Sequence, residues 1–148
     1  MNGADPGDVW REVLGRLRVA ETDRRAVEIC IGCEPPLADV AAFHCQQAAE
    51  KLLKGFLVHA SIDFGKTHDL DVLGQIIGVP YPSVAPLARA MRDWTNWNIA
   101  YRYPDIVEPE PVPTSAELTQ ALDLIARLAE MLRSLGPPSD RNPTTQEA

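Results

Sequence analysis

The sequence predicts an all-α protein: an antiparallel four-helix up-and-down bundle with an additional short helix. Apolar residues recur at three- and four-residue steps in four long segments, and the alternation typical of strands is nearly absent. Prolines and glycines separate these segments at short intervals, and short connections favour antiparallel neighbours. The bundle is expected to span residues 5–136. The polar remainder, residues 137–148, is expected to be disordered.

The first helix is expected to begin at Asp5. This residue is a suitable N-cap, and Pro6 then occupies the first helical position. Apolar side chains recur along the segment at helical spacing, with one gap between residues 20 and 27 that Arg24 bridges. The helix is expected to end near Gly32, before a pair of prolines.

The second helix is expected to run over about 37–60, because this segment is rich in Ala, Leu, Gln, Glu and Lys. A short third helix follows. Thr67 is its expected N-cap, Asp69 lies in its first turn, and Gly78 ends it.

Ser83 is expected to cap a fourth helix, whose apolar stripe continues to Tyr101. The segment 102–105 is expected to end this helix, because the residue before Pro104 is disfavoured in the helical conformation. Residues 106–113 hold three prolines and predict an extended connector. The capping box at Thr114–Glu117 then opens the fifth helix.

Composition excludes several classes of protein. With 14 basic and 21 acidic residues the net charge is −7, which argues against nucleic-acid binding by bulk electrostatics but leaves local RNA contacts open. No apolar run approaches the roughly 20 residues that a membrane helix needs. The first eight residues lack the features of a secretory signal.

The three cysteines are an odd number and too few for a disulfide scaffold, so a reducing cytoplasm is expected. Cys30 and Cys33 form a CxxC pair, and His44 and Cys45 follow. Adjacent helical residues point about 100° apart, and no second pair completes a zinc site. We therefore expect three ordinary buried or half-buried thiols, and neither a metal nor a cofactor.

The second helix carries an unusual polar stripe. At 100° per residue, His44, Gln47, Lys51 and Lys54 fall within an arc of about 80°. Val40 and Phe43 lie in the same stripe, which distinguishes it from a typical solvated face. The stripe is therefore a candidate contact surface for a ligand, a partner or a second copy of the chain. A solvated face with two stray apolar residues is the simpler alternative.

Three segments then resemble, in order, the motifs of HEPN domains, which are helical nucleotide-binding domains of higher eukaryotes and prokaryotes. The segment 43–54, FHCQQAAEKLLK, resembles the family signature. The segment 66–70, KTHDL, resembles the next motif, and 101–105, YRYPD, resembles the third. The resemblance covers about residues 37 to 135.

The resemblance implies a helical bundle that usually forms a homodimer. It further implies a toxin–antitoxin or stress module that often acts with a nucleotidyltransferase partner. Some members are metal-independent ribonucleases that need an arginine followed, after four to six residues, by a histidine. This chain departs from that pattern: Arg92 is followed by Trp97, Asn98 and Ile99. No catalytic residue is therefore carried over, although His44 or His68 remains open as a displaced general base.

The three motifs together predict a nucleotide or RNA site. A helix N-terminus beside two cations favours phosphate, Tyr103 is suited to stacking on a base, and Gln47 to reading its edge. The predicted ligand-binding residues are His44, Gln47, Lys51, Lys54, His68, Arg102, Tyr103 and Asp105.

Structural roles are the alternative for several of these residues. Lys51 and Lys54 would pair with Glu50 or Asp105 or stay solvated, and His68 would fix the turn before the short helix. Arg102 would pair with Asp105. Trp94 and Trp97 are expected in the core or a dimer interface rather than as a platform for a base.

Three functions follow. The first is a nucleotide- or RNA-binding regulatory module, which we favour. The second is a ribonuclease with a displaced general base, and the third is a purely structural dimerisation bundle.

Overall fold

The computed structural model describes residues 3–97 and 112–140 of the chain, and these residues form helices and connections without a strand. The predicted all-α class is therefore confirmed. Five α-helices lie wholly within the described residues: α1, Pro6–Gly32; α2, Ala38–His59; α3, Leu70–Ile77; α4, Ala85–Met91; and α5, Ser115–Arg133. Two 3₁₀ turns are described as well, Arg92–Trp94 and Pro138–Asp140.

The start of α1 agrees with its prediction. Asp5 is the N-cap, and its carboxylate accepts a hydrogen bond of 2.7 Å from the amide of Gly7. The prediction was wrong about the middle of α1. The buried residue between the apolar positions 20 and 27 is Asp23, whereas Arg24 is hydrogen-bonded to glutamates of its own helix.

The second helix, α2, occupies the centre of the fold. It packs against α1, α3 and α5. Its buried residues cover most of its circumference. Leu37 lies half exposed at the start of this helix.

The start of α3 differs from the prediction by two residues. Asp69, not Thr67, is the N-cap, and its carboxylate accepts from the amides of Asp71 at 2.9 Å and Val72 at 3.4 Å. Thr67 instead accepts a hydrogen bond from the amide of Asp69, in the turn before the helix. An aspartate carboxylate satisfies two of the amides that an uncapped helix would leave free.

The fourth helix, expected to be continuous to Tyr101, is interrupted: residues 95–97 are helical again after a 3₁₀ turn, and residues 98–101 lie outside the described residues. Ser83 does not cap it; the helix begins after Val84, with no side-chain hydrogen bond at its start. Beyond Met91 the chain tightens into the 3₁₀ turn Arg92–Trp94. The predicted apolar positions within it are nevertheless buried: Val84, Leu87, Met91 and Trp94.

The fifth helix begins at the predicted capping box. The Thr114 hydroxyl oxygen accepts from the amide of Glu117 at 3.1 Å, and the hydroxyl donates to the Glu117 carboxylate at 3.3 Å. Beyond α5, the chain folds back on the first helix. A Cβ atom added to Gly136 would lie 1.9 Å from the indole ring of Trp10, so this close contact requires glycine.

The expected disordered tail falls largely on residues 141–148, which lie outside the described residues. None of the described helices is both long and apolar enough to cross a membrane.

Candidate functional site

The polar stripe of α2 lies at the margin of the core. His44, Gln47, Lys51 and Lys54 are all half-buried, and Val40 and Phe43 among them are half-buried too. The stripe is therefore not a freely solvated helix face. Two buried carboxylates, one from α1 and one from α2 itself, organise its polar groups.

Asp23 of α1 joins two of the predicted site residues. Its Oδ1 lies 2.9 Å from Nδ1 of His44, and its Oδ2 accepts a hydrogen bond of 2.5 Å from Nζ of Lys51. The Asp23 side chain is only 9% exposed. Because an ionised carboxylate only accepts hydrogen bonds, Nδ1 of His44 is the donor. In the neutral imidazole Nε2 is then the nitrogen without a proton.

Glu50 of α2 joins two more of them. Its Oε1 accepts from Nζ of Lys54 at 3.0 Å and from Nδ1 of His68. The Glu50 side chain is 7% exposed, whereas that of His68 is 70% exposed. The structure thus brings the second motif, 66–70, against the first. His68 is tied to α2 through its carboxylate partner.

Phe64 lies beside Lys54. The Lys54 ammonium lies 5.5 Å from the centre of the phenyl ring, and the Arg16 guanidinium lies 5.7 Å from it. Such cation–π contacts hold both cations near the ring. The turn after α2 therefore contributes to the site through an aromatic residue that the sequence motifs do not include.

The Gln47 side chain has a hydrogen-bond partner within its own helix. Its amide nitrogen donates a 2.6 Å hydrogen bond to the side-chain carbonyl of Gln46, its neighbour in sequence. Gln46 is fully buried, and its own amide nitrogen has no hydrogen-bond partner within the described part of the chain. A buried amide donor without a partner is rare in folded proteins.

The charges of this site are internally balanced. Lys51 is opposed by Asp23, and Lys54 by Glu50. The simpler alternative for Lys54, a pair with Glu50, is therefore what the structure shows, whereas Lys51 pairs with a residue of another helix. The predicted phosphate site at the start of α3 is also changed, because the Asp69 carboxylate already accepts from its first amides.

The third motif lies outside the described residues, so Arg102, Tyr103 and Asp105 are not placed. The chain that leads to them is anchored at the site. The Thr95 hydroxyl accepts a 3.0 Å hydrogen bond from the amide of Leu70, the first residue of α3. Residues 95–97 are therefore held beside the end of the second motif.

Trp94 and Trp97 stack on each other, with ring centres 5.2 Å apart and planes 9° from parallel. Trp94 is buried, and Trp97 packs half-buried against the core. Their placement fits the interpretation of these residues as core packing.

The cysteines behave as the sequence indicated, with Cys30 and Cys45 buried and Cys33 half-buried. Burial raises the pKa of the Cys45 thiol to about 12, so the thiolate is scarce near neutral pH. The pKa of the Cys30 thiol is raised as well. Burial is the larger cause, and the charge of Cys33 is the smaller one. The described residues contain no group of three or more His, Cys, Asp or Glu placed to hold a metal ion.

Sequence reasoning missed Asp23 entirely and considered Glu50 only as a partner of the lysines. The signal was present for Asp23. It lies three residues after Ala20 and four before Val27, on the apolar face of its helix. An acidic residue in a core-facing position needs a buried partner, and that requirement was the available indication.

One protein-family comparison identifies the chain. The family model of the HEPN domain matches residues 14–135. No curated protein and no solved structure gives a significant match. The family points to a nucleotide- or RNA-related function. Since the match covers most of the chain, from α1 through α5, the protein belongs to the HEPN domain family.

Proposed function

We propose that this protein is a nucleotide- or RNA-binding regulatory module whose ligand binds along the polar stripe of α2. The observation that carries the proposal is the pair of buried carboxylates, Asp23 and Glu50, which hold two lysines and two histidines at one face. Burying charged groups costs desolvation energy, and apolar residues of similar volume often stabilise a core as well or better. Such a network is therefore better explained by function than by stability.

The lysines that the two carboxylates hold in place can still donate hydrogen bonds to a ligand. A lysine ammonium has three hydrogen-bond donors, and Lys51 directs one of them to Asp23. The remaining donors are suited to a phosphate oxygen. The proposed site is completed by Gln47 and, from the third motif, by Arg102, Tyr103 and Asp105. The anchoring of Thr95 to α3 supports this placement of the third motif.

The family resemblance supports the finer parts of the proposal. The four main helices run up and down, residues 5–136 form the domain, and the protein acts in the cytoplasm. It forms a homodimer within a toxin–antitoxin or stress system and acts with a nucleotidyltransferase partner. An apolar face supports the homodimer: Ile29 and Leu37 are exposed, and Cys33 and Val40 beside them are half-buried.

Calorimetry tests the binding proposal. The full chain is titrated with ATP, GTP and a short single-stranded RNA, beside the double variant Lys51→Ala/Arg102→Ala. The variant Arg11→Ala/Arg89→Ala, which loses the same two positive charges elsewhere, is the matched control. We expect binding by the wild type and the control, and its loss in the first variant. That variant should melt at a lower temperature, because Asp23 loses its lysine partner, but a melting curve must show that it is still folded at the temperature of the titration.

Two results would contradict the proposal. One is equal binding by both double variants. The other is no heat with any ligand at about 100 µM sites, which would leave the affinity weaker than about millimolar, near −4 kcal/mol.

A ribonuclease with His44 as general base is the second candidate, and one observation favours it. Asp23 fixes Nδ1 of His44 and leaves Nε2 to accept a proton from a 2′-hydroxyl. Loss of RNA cleavage in His44→Ala would support this candidate. Absence of cleavage by the wild type would contradict it.

The third candidate is a purely structural bundle. It predicts that Lys51→Ala changes the stability of the protein and leaves its binding of every ligand unchanged.

A further inference from the structure

A groove between α1 and α5 carries a cluster of arginines that the proposed site does not include. Arg24, Arg25 and Arg133 line it together with Glu21. The groove encloses about 680 Å³, and buried apolar side chains of three helices form its floor: Leu17, Ala20, Leu52, Ile125 and Ala129. Three arginines at one groove give it a local positive charge, although the net charge of the protein is −7.

Hydrogen bonds hold the Arg24 side chain in place at the edge of the groove. Its Nε and Nη2 donate to the two carboxylate oxygens of Glu21 at 2.8 and 2.6 Å, and its Nη1 donates to Glu28 at 2.5 Å. The hydrogen bond to Glu21 is the largest cause that raises the pKa of Arg24. Its guanidinium is thus committed to its own helix and sets the position of Glu21.

Arg25 and Arg133 differ from Arg24 in this respect. Within the described ranges, 3–97 and 112–140, neither has a hydrogen-bond or ion-pair partner. Both influence the charge of Glu21. The pKa of Glu21 is lowered, and the hydrogen bond from Arg24 is the largest cause. Burial opposes that shift, and the charges of Arg133 and Arg25 add to it. The two guanidinium groups therefore lie within charge-interaction range of one carboxylate at the groove.

The groove lies on a different face from the polar stripe. Leu52, which forms part of its floor, points roughly 130° away from the middle of the stripe on α2. The lysines of the stripe are paired with Asp23 and Glu50. Arg25 and Arg133, by contrast, have no hydrogen-bonded or ion-pair partner in the part of the chain that the structure describes. A guanidinium presents a planar set of donors that fits two oxygens of a phosphate. An apolar floor strengthens such contacts by excluding water from one side.

We propose that this groove binds a phosphate group between Arg25 of α1 and Arg133 of α5. The phosphate belongs either to a free nucleotide or to an RNA strand. That choice of ligands rests on the proposed function, whereas the anion site itself rests on the groove.

Calorimetry of the full chain at low salt tests the inference, with inorganic pyrophosphate, AMP and a ten-nucleotide single-stranded RNA as probes. We expect Arg25→Gln/Arg133→Gln to weaken binding about tenfold or more, the usual consequence of losing charge-assisted hydrogen bonds. Arg89→Gln/Arg92→Gln removes the same charge from exposed positions at α4 and the turn after it, and should change affinity less than about twofold. Unchanged thermal unfolding verifies that each variant is folded.

The probes separate the two sources of phosphate. Binding of AMP that the groove variant loses indicates a nucleotide, and loss confined to RNA indicates a strand. Unaltered binding of every probe by the groove variant would overturn the inference. Equal loss in both arginine double variants would overturn it too, because it would show only long-range charge.

A third variant, Lys51→Gln/Lys54→Gln, distinguishes this inference from the proposed function. RNA binding lost only in the lysine variant would overturn the groove and leave the proposed site standing. Pyrophosphate binding lost only in the groove variant, without binding of AMP or RNA by the wild type, would support the groove and contradict the proposed function.

Discussion

At the scale of single residues, Asp23 determines the geometry of the candidate site. It is an acidic residue in a core-facing position, and its two oxygens hold His44 and Lys51 in place. The helical pattern of α1 identified the gap that Asp23 fills. It did not identify the residue, because Arg24 fits the same gap almost as well by spacing. The difference depends on which partners the neighbouring helix presents, and spacing along one helix does not contain that information.

Replacing Asp23 by asparagine should lower the free energy of unfolding by about 2 kcal/mol, because a buried charge-assisted hydrogen bond is lost and Lys51 faces an amide instead. The half-buried partners retain some access to water, which limits the loss. Urea denaturation measures it. Asp123→Asn is the control, since its ion pair with Arg127 is well exposed and should contribute less than about 0.5 kcal/mol. Equal effects of the two substitutions would contradict this role of Asp23.

The thiols give a second prediction at this scale. Cys33 is the half-buried thiol, whereas burial raises the pKa of Cys30 and raises that of Cys45 to about 12. Since the thiolate is the reactive form, a disulfide reagent at pH 8 should label Cys33 in the native protein, diluted until the proposed dimer face is open, and all three cysteines in urea. Cys33→Ser should abolish the native reaction. Rapid native labelling of Cys45 would mean that its burial is transient.

At the scale of elements, the sequence predicts the long helices correctly. It predicts some helix ends correctly and misplaces others. The capping signals at Asp5 and Thr114 are local, since each side chain binds an amide two or three residues away, and both are confirmed. The start of α3 was misassigned because Thr67 and Asp69 are both suitable caps, and both accept hydrogen bonds in this turn. The 3₁₀ turn after Met91 has no strong local signal.

The capping box makes α5 testable by itself. Thr114→Ala should lower the free energy of unfolding by about 1 kcal/mol, because the amide of Glu117 loses its acceptor. Thr119→Ala changes the same residue type inside the same helix, where its hydroxyl binds the carbonyl of Ser115. That control should be neutral or slightly stabilising, because alanine is the better helix former. Similar losses in both variants would show that the N-cap does not control this helix.

At the scale of the whole molecule, the fold class could be predicted from the sequence. The contact that joins the α1 part of the candidate site to the α2 part could not. Helical spacing placed His44, Gln47, Lys51 and Lys54 on one face of α2. The contact between Asp23 and this stripe joins α1 to α2 across 21 and 28 residues of sequence. Such a contact depends on how two helices pack, so only the assembled fold reveals it.

The same packing leaves an apolar face beside the site, and this face carries the prediction of a homodimer. Ala26 and Ile29 of α1 and Cys33 just after its end follow one another at three- and four-residue steps, and Leu37 and Val40 lie at the start of α2. Ile29 is 67% exposed. Exposed apolar side chains such as Ile29 and Leu37 favour association, and a twofold axis would bring the face against its own copy.

Ile29→Glu should therefore convert a dimer into a monomer, measured by sedimentation or light scattering over a range of concentrations, because two like charges would meet at the axis. Val79→Glu is the matched control: Val79 is 84% exposed and lies between α3 and α4, away from this face. It should leave the dimer intact. Because the face borders His44 and Asp23, the monomeric variant should also bind RNA more weakly than the control. A wild type that is monomeric at every concentration would contradict the homodimer, and equal dissociation in both variants would contradict this face as its interface.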